Sequence, residues 1–213
     1  MPDRYPSASS CWRRFRLWEE QGVWPDVWRK FLSMLDEKGS AGLARGLQLW
    51  QLCPGKKRGS FVGPTKRGKG TKWMVVVDGQ GIPIGSTLAS ALPAKVKLAE
   101  ENLETVSVLR IGRGRPGKRP LRLIADKGYD GDPLRKHLKK LKIDLIVPHK
   151  RNRKKPKTQD GGKLRRYRKR WKIERTFAWL SNFRCLVVSY ERLITVYRGF
   201  FHLACLMSVL NRF

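Results

Sequence analysis

Apolar residues recur at two different periods along the chain, and the alternation of these periods predicts its elements. Near the N-terminus, Phe15 and Trp18 lie at the i, i+3 spacing of one helical face, and the run Ser7 to Ser10 before them can cap that helix. A second run at helical spacing starts near Pro25, just after Gly22. These features predict two short helices joined by a glycine-containing turn.

The middle of the chain alternates strand and helix patterns. Apolar runs at residues 72–77 and 82–88, separated by Asp-Gly-Gln-Gly, predict a β-hairpin. A helix, a strand, a basic helix and a second strand are predicted further along, at residues 94–109, 121–125, 133–141 and 144–148. The apolar run 199–210 is too short to span a bilayer and predicts a buried helix. This order predicts an α/β or α+β domain around a mixed sheet.

The pattern divides the chain near residue 40. Residues 1–40 form a small N-terminal helical segment, and residues 41–213 form the larger domain. The helical segment either presents Arg13 and Arg14 to DNA phosphates or only packs its tryptophans against the larger domain. Both interpretations stay open on the sequence alone.

The net charge of the chain indicates which class of molecule it binds. Lys and Arg total 47 against 17 acidic residues, which gives a formal net charge of +30. Self-repulsion of this size opposes a compact fold unless a polyanion or salt relieves it. The basic residues are spread through loops and helices instead of forming one face of a membrane-binding helix. We therefore expect a nucleic acid partner and no membrane.

Two segments concentrate this charge. Residues 55–70 are rich in Gly, Lys and Arg and predict a basic loop, in which Lys66 and Arg67 are candidate DNA contacts. Residues 149–172 are more basic still. Such a run is either a solvated face or a collar that offsets the charge of a polyphosphate ligand.

Other kinds of site are not expected. The four cysteines have no metal-ligand spacing, and they predict buried thiols in a reducing cytosol. Residues 1–16 mix charges with little apolar continuity, so we predict no signal peptide and a cytoplasmic protein. The three histidines stand near no serine or cysteine nucleophile at a motif spacing, which argues against a hydrolytic triad.

Two carboxylates stand where a metal-dependent enzyme acting on DNA would place them. Asp126 ends the predicted strand 121–125, and Glu174 lies on a later predicted helix. Carboxylate oxygens suit Mg²⁺ or Mn²⁺, and two such ions stabilise the attacking and leaving oxygens of phosphodiester chemistry. The alternatives are a turn residue for Asp126 and an ordinary ion pair with Arg170 or Arg175 for Glu174.

A site of this kind normally needs a third carboxylate upstream. No Asp or Glu occurs between Lys38 and Val77. The nearest acid is Asp78, in the turn of the predicted hairpin, and we expect it to lie too far away to serve. Because each ion would lose a bridging ligand, we expect DNA binding with poor or no catalysis.

Several motifs carry a family resemblance. They are the runs Leu-Ile-Ala-Asp-Lys-Gly-Tyr-Asp, Ile-Val-Pro, Arg-Trp-Lys-Ile-Glu-Arg-Thr-Phe-Ala-Trp-Leu and Tyr-Glu-Arg, at residues 123–130, 146–148, 170–180 and 190–192. With them the chain resembles the bacterial insertion-sequence transposases of the IS5 group, within the IS4-like DDE class. The resemblance extends back through residues 66–73, 77–83 and 5–24, and so covers most of the chain.

The resemblance implies an RNase H-like catalytic domain whose Asp-Asp-Glu triad binds two Mg²⁺ or Mn²⁺ ions. Such an enzyme cuts the ends of a mobile element and joins them to target DNA. Asp126 matches the second Asp of the triad and Glu174 matches its Glu. Tyr167 and Arg170 match the signature Tyr-x2-Arg-x3-Glu, whose positions contact phosphate near the cut. The implied partners are the element's inverted repeats and target DNA, bound by a nucleoid-associated homo-oligomer.

The chain departs from the family pattern in two places. The final Lys of the signature falls on Ser181, and Arg184 is the residue that would replace its charge. The family's first Asp stands in an Asp-Gly-Ser/Thr-Phe strand, whereas this chain has no acid in the atypical residues 39–59. The bases of an Asp-Gly-Ser-Phe-Ala-Pro-Ala-Lys-Lys run, read in another frame, give Trp-Gln-Phe-Cys-Pro-Gly-Lys-Lys, close to residues 50–57. We hypothesise a short out-of-frame stretch.

Three functions remain open at this point. The first is a DDE transposase impaired by loss of its first catalytic Asp. The second is a non-catalytic DNA-binding transposase remnant or accessory protein. The third, a ribosomal-type RNA binder, explains the charge but not the Asp126 and Glu174 motifs.

Overall fold

The computed structural model describes residues 5–39, 46–55, 61–65, 68–109, 117–156, 158–159 and 161–213. The helices of this part of the chain are α1 (Ala8–Glu20), α2 (Val23–Glu37), α3 (Lys95–Glu104), α4 (Asp132–Lys140), α5 (Gly161–Arg165), α6 (Trp171–Leu180), α7 (Arg184–Val187) and α8 (Ile194–Leu210). Its strands are β1 (Gly46–Pro54), β2 (Gly63–Thr65), β3 (Gly68–Val77), β4 (Pro83–Ser90), β5 (Arg122–Ala125) and β6 (Asp144–Ile146). Two 3-10 turns lie at Lys127–Tyr129 and Arg166–Arg170.

The strands form one mixed sheet with β1 at its centre. β1 runs antiparallel to β3 and parallel to β5, and β6 continues the sheet parallel to β5. On the other side, β2 and β4 both pair antiparallel with β3. The helices flank this sheet, so the predicted mixed α/β arrangement is confirmed.

The central strand is one that the sequence did not predict. In β1, Leu47 and Leu49 lie on one face, while Gln48 points to the other face and is also fully buried. A buried amide breaks the apolar and polar alternation by which a strand is recognised. The predicted basic loop 55–70 was also partly wrong, because residues 63–65 and 68–70 pair with each other as strands.

Helix ends follow their capping residues. α1 starts as predicted, since the Ser7 hydroxyl accepts a hydrogen bond from the Ser10 amide. α2 starts at Val23 instead of Pro25, because Gly22 takes a left-handed φ of 76° and turns the chain earlier. α3 stops at Glu104, five residues before the predicted end, and the chain beyond it pairs Val108 with Gly117.

The N-terminal helices pack against α8 and share the main core. Trp28 on α2 is buried within that core. On α1, the buried Glu19 carboxylate accepts from Arg198 Nε at 2.5 Å and pairs with His202 Nδ1 at 2.9 Å, both on α8. The domain boundary near residue 40 stays a prediction, because residues 40–45 lie outside the described residues.

Trp73 on β3 fixes two helices on one face of the sheet. It is fully buried, and its ring lies 5.4 Å from that of Phe177 on α6 and 5.3 Å from that of Phe201 on α8. Aromatic pairs at these separations hold neighbouring elements in a defined orientation. None of the helices in the described ranges is long and apolar enough to cross a membrane.

Candidate functional site

The carboxyl end of β5 positions Asp126. The residue continues the strand in extended backbone with φ −65° and ψ 155°, and its carboxylate accepts from the Lys127 amide at 2.7 Å. That bond caps the 3-10 turn Lys127–Tyr129 and fixes the carboxylate at the strand end. Burial, and then the Asp126 charge, raise the pKa of the Tyr129 phenol far above its ordinary value, so Tyr129 is neutral beside this acid.

Arg170 brings Asp126 and Glu174 together. Its Nη1 donates to Asp126 Oδ1 at 3.1 Å and its Nη2 donates to Glu174 Oε1 at 2.6 Å. The two acids are 48 positions apart in the chain, and one guanidinium joins them. The predicted convergence of these acids is therefore what the structure shows, and the predicted ion pair between Glu174 and Arg170 is present as well.

Tyr167 completes the cluster from the 3-10 turn Arg166–Arg170. Its hydroxyl oxygen accepts from Arg170 Nη1 at 2.9 Å, and the guanidinium lies 5.2 Å from the ring centroid. Burial raises the pKa of the Tyr167 phenol; Arg170 opposes this shift, and the Asp126 and Glu174 carboxylates add to it. Tyr167 therefore keeps its proton at neutral pH.

Helix α6 carries Glu174 and is anchored on the turn after β3. Lys172 Nζ donates to Gly79 O and Thr176 Oγ1 donates to Gly81 O, each at 2.6 Å. Gly81 has a φ of 92°, and a Cβ there would stand 3.0 Å from Thr176 Oγ1. Only glycine suits this close approach. On α6 itself, Ile173 is fully buried in the core.

On β1, Leu49 is the residue level with Asp126. The parallel register pairs Leu47 with Ile124 and Gln48 with Ala125, so one residue further Leu49 is level with Asp126. Because alternate residues of a strand share a face, Leu49 points to the same face as Asp126. The Leu49 side chain is partly buried and packs against the core.

Asp78 does not take that place. β3 runs antiparallel to β1 and pairs Val77 with Leu47, so Asp78 is level with the start of β1. Three residues of strand separate that level from Leu49, which is roughly 10 Å. The Asp78 carboxylate is buried and accepts from the amides of Gln80 and Ile82, both at 2.8 Å. It holds its own turn, as expected of an acid too distant to serve the site.

The donor set does not fit a pair of divalent ions. Among the residues that the structure describes, no group of three or more His, Cys, Asp and Glu side chains is placed to hold a metal ion. Two carboxylates converge, but a guanidinium lies between them, and Leu49, level with Asp126 on β1, is apolar. Hard ions need more oxygen ligands than this arrangement supplies.

The other predicted contact residues lie elsewhere. Arg13 and Arg14 are exposed on α1, which packs on α2 and α8. Arg184 is exposed at the first residue of α7. Lys66 and Arg67 lie outside the described residues.

A third carboxylate, that of Asp130, was given no role by sequence reasoning. Asp130 is buried and accepts from Arg135 Nη2 at 2.9 Å, pairs with His149 Nδ1 at 3.1 Å, and accepts from the Lys150 amide at 2.9 Å. Burial disfavours its charge, but these hydrogen bonds outweigh burial and hold the pKa of Asp130 below its ordinary value. The signal available was its place in Asp-Lys-Gly-Tyr-Asp, four residues after Asp126.

Comparison with known proteins shows which family this chain belongs to. Residues 48–209 match the family model described as the transposase DDE domain. The chain is 32% identical over 149 residues to the protein assigned as transposase of insertion sequence element IS402 from Burkholderia cepacia, covering 70% of this chain and 67% of that protein.

Among solved structures, the piggyBac transposase in its synaptic complex with hairpin DNA aligns with a TM-score of 0.52 at 13% identity. That alignment covers 78% of this chain, which spans 46% of the piggyBac chain. The likeness confirms the predicted RNase H-like fold. The chain belongs to the DDE transposases of bacterial insertion sequences.

Proposed function

We propose that this chain binds DNA around the Tyr167, Arg170 and Glu174 cluster, and that in its present sequence it cuts and joins DNA poorly or not at all. One observation carries the proposal. The Arg170 guanidinium bridges Asp126 and Glu174, and the β1 residue level with Asp126 is the apolar Leu49.

DNA binding follows from the charges around the acids. Tyr167 accepts from Arg170, so its own proton is available to another acceptor such as a phosphate oxygen. Arg170 is a planar donor suited to phosphate. More than half of the surrounding residues 161–172 are lysine or arginine. A phosphate group would therefore meet strong positive charge in front of the two carboxylates.

Poor catalysis follows from the apolar residue that lies level with Asp126 on β1. The family's divalent ions, Mg²⁺ or Mn²⁺, would supply charge stabilisation of the attacking and leaving oxygens when bound. Leu49 offers no ligand oxygen, so the donor set present lacks the ligands that such ions need. The residues present can orient a phosphate through Arg170 and Tyr167, but they leave the hydrolytic step without support. Binding to the inverted repeats of a mobile element, binding to target DNA and a homo-oligomeric state stay predictions.

The first experiment measures binding by fluorescence anisotropy with a labelled random-sequence 30-base-pair duplex. We expect the full chain to bind it, and Arg170→Gln to lower the slope of log affinity against log salt by about 1, the effect of one lost phosphate contact. Arg29→Gln, which removes a half-exposed arginine on α2, is the matched control and should leave the slope unchanged. Absence of duplex binding by the full chain would refute the proposed function.

The second experiment distinguishes DNA from RNA. Unlabelled duplex DNA and a ribosomal RNA stem-loop are added as competitors to the same complex. We expect DNA to displace the labelled duplex at lower concentration. Stronger displacement by the RNA would favour the RNA-binding alternative.

A further inference from the structure

A basic groove runs along the outer edge of the sheet, between α4, β6 and residues 153–156, 158–159 and 163. Among the described strands β6 pairs with β5 alone, so it forms this edge. The Leu145 carbonyl accepts from Arg135 at 3.3 Å and from Gln159 at 2.6 Å, and the Val147 carbonyl accepts from Arg135 at 2.9 Å. These bonds occupy the strand edge, and they leave beside it a groove of about 740 Å³. The groove therefore suits a ligand held by side chains instead of an added strand.

The described lining of this groove is strongly basic. Seven cationic side chains face two carboxylates, those of Asp132 and Asp144. The cations are Arg135, Lys136, Lys139, Lys142, Arg153, Lys155 and Lys163. An excess of this size in a concave surface concentrates positive potential and favours an anionic ligand.

Four of the seven cations already have acidic partners. Arg135 is bound to Asp130, Arg153 and Lys155 are bound to Asp132, and Lys163 is bound to Asp144; the N to O distances are 2.9, 2.8, 3.4 and 3.0 Å. The remaining three, Lys136, Lys139 and Lys142, form no ion pair with a described residue. Lys136 and Lys139 lie one turn apart on α4, across about 4.5 Å of helix rise, and Lys142 follows the end of that helix. A nucleic acid strand places a charge about every 3.4 Å along its axis, so this row can face two or three phosphates.

Lys142 adopts a left-handed backbone conformation that residues other than glycine disfavour. α4 ends in a Schellman motif, with the Lys142 amide donating to Lys139 O at 3.0 Å and the Ile143 amide to Leu138 O at 2.9 Å. The residue after the cap of this motif is usually glycine, yet Lys142 has a φ of 60°. It is the one described residue other than glycine with a positive φ. A side chain retained in this strained conformation points to a function.

We propose that this groove is a second DNA-contacting surface, which holds the sugar-phosphate backbone of DNA beside the strand at Asp126 and Glu174. The inference rests on the proposed function, since it assumes that DNA is the ligand. The groove starts near Asp132, six residues after Asp126, and runs to Asp144 at the opposite end of β6. DNA that leaves the carboxylate cluster along the sheet edge therefore passes along the lysine row.

The test compares two triple variants of the full chain in the anisotropy assay across a salt series. In Lys136→Gln/Lys139→Gln/Lys142→Gln, the slope of log affinity against log salt should fall by about 2.7, because each lost phosphate contact removes about 0.9. Between 50 and 200 mM salt, affinity would then change about 40-fold less than in the parent. The matched control, Lys30→Gln/Lys97→Gln/Lys118→Gln, removes three exposed lysines outside the groove and should keep the parental slope.

A second variant separates binding from stability. Lysines near a helix C-terminus also favour the helix dipole, so weaker binding alone could reflect a damaged helix. Lys142→Gly relieves the positive φ and should raise the melting temperature while lowering the salt slope by about 0.9.

The outcomes also separate this inference from the proposed function. If the lysine triple keeps the parental slope while Arg170→Gln lowers it, the groove is not a DNA surface but the proposed function stands. If Lys142→Gly is more stable and binds with an unchanged slope, the role given to Lys142 is wrong. If the full chain binds no duplex, both proposals fail.

Discussion

Asp130→Asn tests the buried charge network that holds β6 and the basic segment beside the candidate site. The Asp130 side chain is 2% exposed, and its partner Arg135 is 13% exposed. Asparagine keeps the shape but removes the charge, so the largely buried guanidinium of Arg135 loses its counter-charge. Breaking a buried pair in this way costs about 3–5 kcal/mol.

The lower end of that range is expected here. Arg135 keeps its hydrogen bonds to the carbonyls of Leu145 and Val147, which satisfy part of its donor capacity. We therefore expect a loss of about 3 kcal/mol in the free energy of unfolding at pH 7, measured by urea denaturation with tryptophan fluorescence. Asp144→Asn is the matched control. It removes a half-exposed pair with Lys163 and should cost less than about 1 kcal/mol.

The pH dependence gives the same prediction a second measurement. Because the folded-state pKa of Asp130 is lowered, its contribution to stability is present above the unfolded-state pKa of about 3.9 and is lost as pH falls through the folded-state value. The stability difference between parent and Asp130→Asn should therefore shrink as pH falls below about 4. A loss under about 1 kcal/mol at pH 7, or a difference that does not change down to acid pH, would refute the reasoning.

Two further predictions concern buried polar groups. Gln48→Met should raise the free energy of unfolding by about 1–3 kcal/mol, because neither polar atom of the Gln48 amide has a hydrogen-bond partner in the described structure; a destabilised variant in urea denaturation would contradict this. Glu19→Ala should cost about 2 kcal/mol in the same assay and speed tryptic cleavage at Arg13 and Arg14, because it removes the bonds from Arg198 and His202 that dock α1 on α8. Unchanged protection of α1 would show that other contacts hold it.

The sequence was sufficient where local rules decide structure. The Ser7 cap, the strand ending at Asp126 and the helix carrying Glu174 follow from capping chemistry and apolar period. Each depends on neighbours within one or two turns of chain. The family motifs added the expectation that the two acids meet, and the structure brings them onto one guanidinium.

Features that depend on distant contacts could not be predicted in this way. β1 is a strand because β3 and β5 pair with it on both sides, although its own pattern includes the buried Gln48. The level of Leu49 beside Asp126 is a property of strand register, which no local pattern specifies. The strain at Lys142 likewise appears only once the end of α4 is seen.

We propose that Leu49 and Arg170 keep the Asp126 and Glu174 pair from holding divalent ions. Manganese binding tests it directly, because the electron paramagnetic resonance signal of free Mn²⁺ falls as the ion is bound. We expect the parent chain to leave that signal unchanged at millimolar Mn²⁺, and Leu49→Asp, but not the uncharged Leu49→Asn, to reduce it by supplying a third carboxylate. Mn²⁺ binding by the parent that Asp126→Ala abolishes, together with Mn²⁺-dependent strand cleavage, would contradict the account.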